Sequence, residues 1–313
     1  MRFIDAEEVR TRLTYEVAIP LVREAMIAVS AGTTRQLLRS ILPLGGDDLF
    51  GVMPGWLGDG RPFGAKLISV FPGAFAAGGP SHQGVIVMFD PESGAPTAVV
   101  DATEVTAIRT AAASAVATDA LARPGPARLT ILGYGRQAEE HLRAIPKVRS
   151  ISDVRVWGRN PAHAAAFAER MATQSGLPVT AAADVRAAVA DAGIICTLTA
   201  ASEPILAGAW IAPGAHVNLV GSGHAGQAEG DVELIVRGRL IADSRSGVIA
   251  QCGEFLRAKA AGRVDDSHVA AEIGEVLAGV ASGRRDGEEI TVYKSLGHVA
   301  QDLASAEALL TGG

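Results

Sequence analysis

The stretch Ile131-Leu132-Gly133-Tyr134-Gly135-Arg136-Gln137-Ala138 decides the fold of this chain. It reads G-x-G-x-x-A, directly after an apolar run and directly before a helical segment beginning near Gln137. In a strand–turn–helix unit the first glycine allows the tight turn. The second lets the backbone approach a pyrophosphate, and alanine in third place still permits close helix–strand packing. The helix N-terminus then favours the anionic phosphates. In isolation the motif would read equally as a Gly-rich structural turn; the strand before it and the strand after its helix give it meaning.

Outward from this loop, short apolar runs alternate with helical segments. The runs are Leu129–Leu132, Val154–Trp157, Ile194–Leu198, His216–Val220 and Leu240–Ala242, with helices near Gln137–Ile145, Pro161–Thr173 and Ala183–Asp191. That alternation predicts an α/β, doubly wound Rossmann domain with a parallel sheet between two helical layers. The second strand ends Val156-Trp157-Gly158-Arg159-Asn160, and Arg159 falls 26 positions after Gly133. An acidic residue there would bind the ribose hydroxyls of NAD. An arginine suits a 2′-phosphate, so NADP(H) is the expected cofactor, with NAD(H) the second choice; the plainer reading is a solvated arginine. The expected cofactor set is Gly133, Gly135, Arg136, Gln137, Arg159 and Asn160. Thr197, Thr199, Val220 and Ser222 join it at the ends of later strands, where the threonines would also be ordinary strand content.

The flanks read differently. Asp5 and Glu8 have capping-box spacing for a short helix, and a second helix runs from Tyr15 to Ser30. Strand-like runs follow at Gln36–Leu42, Leu49–Met53, Gly64–Phe71, Gly84–Phe89 and Thr97–Val100. Glu104–Leu121 is an Ala-rich helix, and Arg123-Pro124-Gly125-Pro126 is a linker. At the far end Val269–Val280 reads as a helix, Ile290–Val292 as a strand, and Ser295–Leu310 as a final helix with Ser295 as its N-cap.

Bulk properties narrow the class. With 313 residues, 48% of them apolar, the chain can bury one or two cores. A net charge of -6 leaves no basic footprint for nucleic acid and no polybasic membrane patch. No run is long enough to span a membrane, and the acidic N-terminus lacks the apolar core of a signal peptide. Cys196 and Cys252 lack metal spacing and the seven histidines are scattered, so no metal site is expected and a cytoplasmic setting is.

The chain resembles the ornithine cyclodeaminase/mu-crystallin family along nearly its whole length. The resemblance is carried by Gly51-Val52-Met53-Pro54, Pro80-Ser81-His82-Gln83, Arg109-Thr110-Ala111-Ala112 and Gly133–Ala138. It continues through Glu203-Pro204-Ile205-Leu206, Pro213-Gly214-Ala215-His216-Val217-Asn218 and Val292-Tyr293-Lys294-Ser295-Leu296-Gly297. It implies a homodimer of two-domain subunits. The discontinuous α+β substrate-binding and dimerisation domain would span 1–122 and 296–313, and the Rossmann domain 123–295. The resemblance also implies that Met53 and His82 meet the substrate, and that Ser295 and Gly297 lie near the nicotinamide.

The cyclodeaminase branch recycles its NAD internally. It has a Glu two residues before the Met-Pro pair and an Asp after the fifth strand, where this chain has Gly51 and Gly223. Without those carboxylates the cyclodeamination proton transfers lack their acid and base. The mu-crystallin-like branch resembles this chain better and implies NAD(P)H-dependent reduction of cyclic ketimine carboxylates to L-proline- or L-pipecolate-like products. Ornithine cyclodeamination, alanine-dehydrogenase-like chemistry and a non-enzymatic nucleotide-dependent binding protein are the alternatives. His224–Asp231 fits neither branch.

Reducing an imino acid requires a carboxylate clamp and a proton donor. Arg39 and Arg109 suit the clamp, since guanidinium forks grip carboxylates in two places. Arg109 sits in an Ala-rich helix, where burial demands an anion; a structural ion pair would satisfy that equally. Lys66 interrupts an apolar strand. It either snorkels to solvent or points into a site where desolvation lowers its pKa toward that of a proton donor, and the resemblance favours the site. Thr110 follows Arg109 and is assigned to substrate contact; His82 is the weaker candidate.

Overall fold

The computed structural model describes residues 1–46, 48–71, 73 and 82–311. Pro80 and Ser81, and the side chain of His82, lie outside the described residues. The chain divides into two compact units: Met1–Arg109 with His298–Gly313, and Thr110–Gly297. The division falls inside the helix Ala102–Leu121, upstream of the Pro-Gly linker.

In the first unit, strands β1 (Arg2–Ile4), β2 (Arg35–Gln36), β3 (Ser40–Gly45), β4 (Asp48–Trp56), β5 (Phe63–Val70), β6 (His82–Phe89) and β7 (Pro96–Asp101) form one sheet. Its order is β1-β7-β6-β5-β4-β2, with β3 also on β4; only β1 and β7 pair in parallel. The run expected as one strand from Gln36 to Leu42 is broken into β2 and β3, because the antiparallel pairing with β4 slips by one residue between Gln36–Gly55 and Ser40–Val52. The last helix, Val299–Thr311, lies across β4, β5 and β6 and packs on the helix Tyr15–Ser30. Gly55 permits this close approach: a Cβ there would stand 2.4 Å from the Val299 side chain.

The second unit holds an all-parallel sheet of β8 (Ala127–Leu132), β9 (Ile151–Trp157), β10 (Val179–Ala181), β11 (Ile194–Thr197), β12 (His216–Leu219), β13 (Arg239–Ala242), β14 (Val269–Glu272) and β15 (Thr291–Lys294). The order is β10-β9-β8-β11-β12-β15-β13-β14. Strands β11, β12 and β15 are buried throughout, as parallel strands covered on both faces must be. The chain reverses direction across the sheet between β8 and β11. In open α/β sheets this switch point opens the ligand crevice at the carboxyl ends of the strands.

Two expectations are corrected. Val269–Val280 is an edge strand, β14, followed by a five-residue helix, Ile273–Leu277. Ser295 caps nothing: residues 295–298 belong to no helix or strand, Gly297 sits at φ +86°, and the last helix begins at Val299. Among the described residues, no helix is long and apolar enough to cross a membrane.

Candidate active site

In the first unit, Met53 and Lys66 face each other in register across β4 and β5, so both side chains emerge on one face of the sheet. Both are buried, and so is Arg109. Lys66 Nζ donates to Asp302 Oδ1 at 3.1 Å, and Arg109 Nε donates to the same oxygen at 3.0 Å. Arg109 Nη1 donates to Gln301 Oε1 at 2.9 Å. Arg39 is near enough to push the Lys66 proton off electrostatically, as Arg109 does. Two cations therefore share one oxygen of Asp302, and a third acts on Lys66.

Burial dominates the titration of this cluster. It drives Lys66 down; Asp302 resists, Arg109 and Arg39 add to the fall, and the result is about 8. Burial penalises the Asp302 carboxylate too, but Arg109 and Lys66 outweigh it and hold the group below the usual carboxylate range. His298, one turn before Asp302, is driven by burial to about 4 and is neutral at pH 7. Asp302, Gln301 and His298 were missed in the sequence. Arg109's demand for an anion was the one signal pointing to them.

In the second unit, the glycine loop joins a strand to a helix, as its spacing predicts. Gly133 follows β8 at φ +133°, and Gly135 is the N-cap of the helix Arg136–Ala144, starting one residue before the expected Gln137. Gly135 caps the first turn with no side chain, and a Cβ on it would meet nothing within 4 Å. A helix start without a side-chain cap suits a pyrophosphate, which can take the first-turn N–H groups. Arg136 pairs with Glu140 at 2.9 Å. Arg159 follows β9 and is exposed, while the Asn160 side chain caps the next helix through Ala162 N and His163 N.

The remaining strand-end residues are tied together by buried acids that the sequence did not point to. Glu229 accepts from Thr197 Oγ1, Thr199 N and Oγ1, and Gly221 N, all between 2.6 and 2.7 Å. Burial raises its pKa against those bonds. Ser222 Oγ donates to Glu254, and Lys294 Nζ donates to the Ser222 carbonyl at 2.7 Å. Asp243 accepts from the N–H groups of Leu296 and Gly297 at 2.6 and 2.7 Å. Val220 N donates to the Thr197 carbonyl. Ser295 Oγ and Thr110 Oγ1 are buried without a hydrogen-bond partner. Cys196 and Cys252 are buried thiols pushed up to about 12, unsuited to act as nucleophiles.

A parallel sheet with a glycine-rich loop at its switch point defines the class: a protein with a dinucleotide-binding fold. The family follows from comparison. The profile of the Ornithine cyclodeaminase/mu-crystallin family matches residues 2–310, and the chain belongs to that family. It is 36% identical over 310 residues to ketimine reductase mu-crystallin of Mus musculus, covering 97% of this chain and 95% of that protein. It is 36% identical over 254 residues to the Delta(1)-pyrroline-2-carboxylate reductase of Paracoccus denitrificans, covering 80% and 79%. Its structure is similar to that of Thermococcus litoralis Delta(1)-pyrroline-2-carboxylate reductase in complex with NADH and L-proline. The TM-score is 0.94 at 33% identity, over 100% of this chain and 98% of that one.

Proposed function

We propose that the protein is an NAD(P)H-dependent reductase of cyclic ketimine carboxylates, forming L-proline- or L-pipecolate-like products. The observation that carries this reading is the pairing of Lys66 and Arg109 on one buried oxygen of Asp302, with Arg39 close enough to act on Lys66. Guanidinium groups suit a carboxylate ligand. The named activities of the mouse, Paracoccus and Thermococcus relatives support the same substrate class.

In this reading the first unit, residues 1–122 with 296–313 in the boundaries drawn from sequence, binds substrate and forms a homodimer. The second unit, 123–295, binds the dinucleotide through Gly133, Gly135 and the first turn of the next helix. Arg159 favours NADP(H) over NAD(H). Bound there, a reduced nicotinamide would supply the hydride that reduction of an imine needs. Arg39 and Arg109 hold the substrate carboxylate, and Met53 packs beside Lys66 on the same sheet face. Lys66 carries a proton at neutral pH and gives it to the imine nitrogen. C=N becomes CH–NH, and Lys66 is left as a neutral amine that regains its proton from water. His82 and Thr110 stand in this reading as substrate contacts, and the protein works in the cytoplasm.

Gly51 and Gly223 speak against cyclodeamination. Gly51 lies on the Met53 face of β4, where a longer acid would share the face of Lys66. The test is to supply purified protein with pyrroline-2-carboxylate or piperideine-2-carboxylate and NADPH or NADH. Loss of reduced-nicotinamide absorbance with a ring imine is expected. Turnover only with pyruvate and ammonia, or ammonia release from ornithine without net cofactor change, would overturn the reading.

A further inference from the structure

We propose that Asp302 is a positioning residue that keeps Lys66 charged and Arg109 aimed, so that the last helix of the chain completes the catalytic set. Lys66 lies on β5 and Arg109 on the helix Ala102–Leu121; neither would tolerate the other's charge without an anion between them. A single oxygen, Asp302 Oδ1, accepts from both at 3.1 and 3.0 Å. Gln301, the preceding residue, takes Arg109 Nη1 at 2.9 Å. Its own amide is steadied by Met26 Sδ at 3.0 Å. Two consecutive residues of one helix thus grip two nitrogens of one guanidinium, which fixes its plane, and Nη2 takes part in neither bond. Lys66, Arg109, Gln301 and Asp302 are all buried, so the contacts are little screened by solvent.

The charged groups around Lys66 divide cleanly by sign. Arg39, from the segment before β3, and Arg109 repel its proton; Asp302 retains it. His298 faces Asp302 and Arg109 and is neutral at pH 7. With Asp302 gone, burial and two guanidinium groups act on Lys66 unopposed, and the amine becomes neutral in the range where it must donate. The inference rests on Lys66 being the proton donor of the proposed reduction.

The chain has four lysines, Lys66, Lys147, Lys259 and Lys294, so each can be followed by NMR after labelling the lysine ε-carbons. Lys66→Arg assigns the Lys66 signal, and the full-length protein is titrated without substrate or cofactor. The wild-type midpoint is expected near about 8. In Asp302→Asn it should fall by about 1–3 pH units, the usual worth of a close opposite charge. Asp302→Glu should bring it back toward the wild-type value. In turnover assays the Asp302→Asn pH profile should move acid by the same amount, while the KM for NADPH stays unchanged. An unmoved Lys66 midpoint in folded Asp302→Asn overturns the inference. If that variant does not fold, Arg109→Leu tests the same balance from the other side: the Lys66 midpoint must rise, and an unmoved or lower one overturns it. The titration needs no turnover. A failed ketimine assay therefore sinks the functional reading alone, and an unmoved midpoint beside active enzyme sinks the role of Asp302 alone.

Discussion

A Cβ placed on Gly133 would stand 2.6 Å from the carbonyl oxygen of Leu198. Gly133 closes β8 and Leu198 follows β11, so the two residues meet at the switch point of the sheet, with Gly133 at φ +133°. Gly133→Ala adds both a backbone conformation that side chains avoid and a collision with backbone. The cost is on the order of 1–3 kcal/mol for the conformation alone. The expected outcome is a lower melting temperature and weaker dinucleotide binding, read by thermal melts and by quenching of nicotinamide fluorescence. An alanine variant with wild-type affinity would show that the loop does not touch the cofactor.

Lys66 and Arg39 separate by kinetics. In the proposed reduction Lys66→Met removes the proton donor, so kcat should fall by about 10²- to 10⁴-fold, the usual contribution of a general acid. Arg39→Ala removes a charged hydrogen-bond donor to the substrate carboxylate, worth about 1.5–3 kcal/mol. It should cost about 10- to 150-fold in kcat/KM, mostly through KM. Steady-state rates against ring-imine concentration check both. A Lys66→Met enzyme with unchanged kcat would remove Lys66 from the chemistry.

Arg159 is exposed, two residues past the end of β9. Arg159→Asp replaces a cation suited to the 2′-phosphate by an anion that repels it and can accept from ribose hydroxyls. The ratio of kcat/KM for NADPH over NADH should drop by about tenfold or more, the size of one lost charged hydrogen bond. A ratio that stays put would leave Arg159 a solvated side chain.

These predictions divide between what the sequence made legible and what it did not. The loop Gly133–Ala138 was legible because Gly133 answers a local steric need, and the alternating runs around it set the parallel sheet. β14 was not: Val269-Ala270-Ala271-Glu272 is short, alanine-rich and joined without a break to Ile273–Leu277, so strand and helix merge into one periodic pattern. Asp302 was hidden differently. It sits 236 residues from Lys66, and a lone acid in the last helix reads as a surface residue until the fold brings Arg109 to it. Glu229 and Glu254 were hidden for the same reason, since their partners Thr197 and Ser222 are each 32 positions away.

Acid should unfold the protein through its buried histidines. Burial holds His141 at about 4, His216 at about 3 and His298 at about 4, against 6.5 for a free side chain. The folded values lie below the unfolded one, so below pH 6.5 the unfolded state binds more protons and gains stability. The contribution of neutral burial is complete above about 6.5 and is lost as pH falls toward about 4, at about 1.4 kcal/mol per pH unit for each histidine. Urea midpoints taken from neutral pH down to about pH 5 should drop steadily. His216 hydrogen-bonds Thr291 and Asn218, so His216→Gln should start less stable and show a shallower slope. Equal slopes in the two proteins would mean that His216 is not held neutral.

Strand β3 and the residues before it carry an exposed apolar stripe: Leu37, Leu38, Ile41, Leu42 and Leu44 are between 45% and 71% exposed. β3 pairs with β4 along one edge, and among the described residues no strand pairs with its other edge. An apolar edge of this kind invites association unless something covers it. A second copy of the chain would do so, in keeping with the homodimer proposed for the first unit. Fully burying a leucine is worth about 1.5–3 kcal/mol, so charging two of them should weaken a dimer by more than about 100-fold. Light scattering on a sizing column should give twice the chain mass of 32.1 kDa for the wild type. The double variant Leu37→Asp, Leu42→Asp should elute as a monomer with the same far-ultraviolet circular dichroism. A wild-type protein that remains monomeric at tens of micromolar would leave the stripe without a self-partner and remove the dimer from the proposed function.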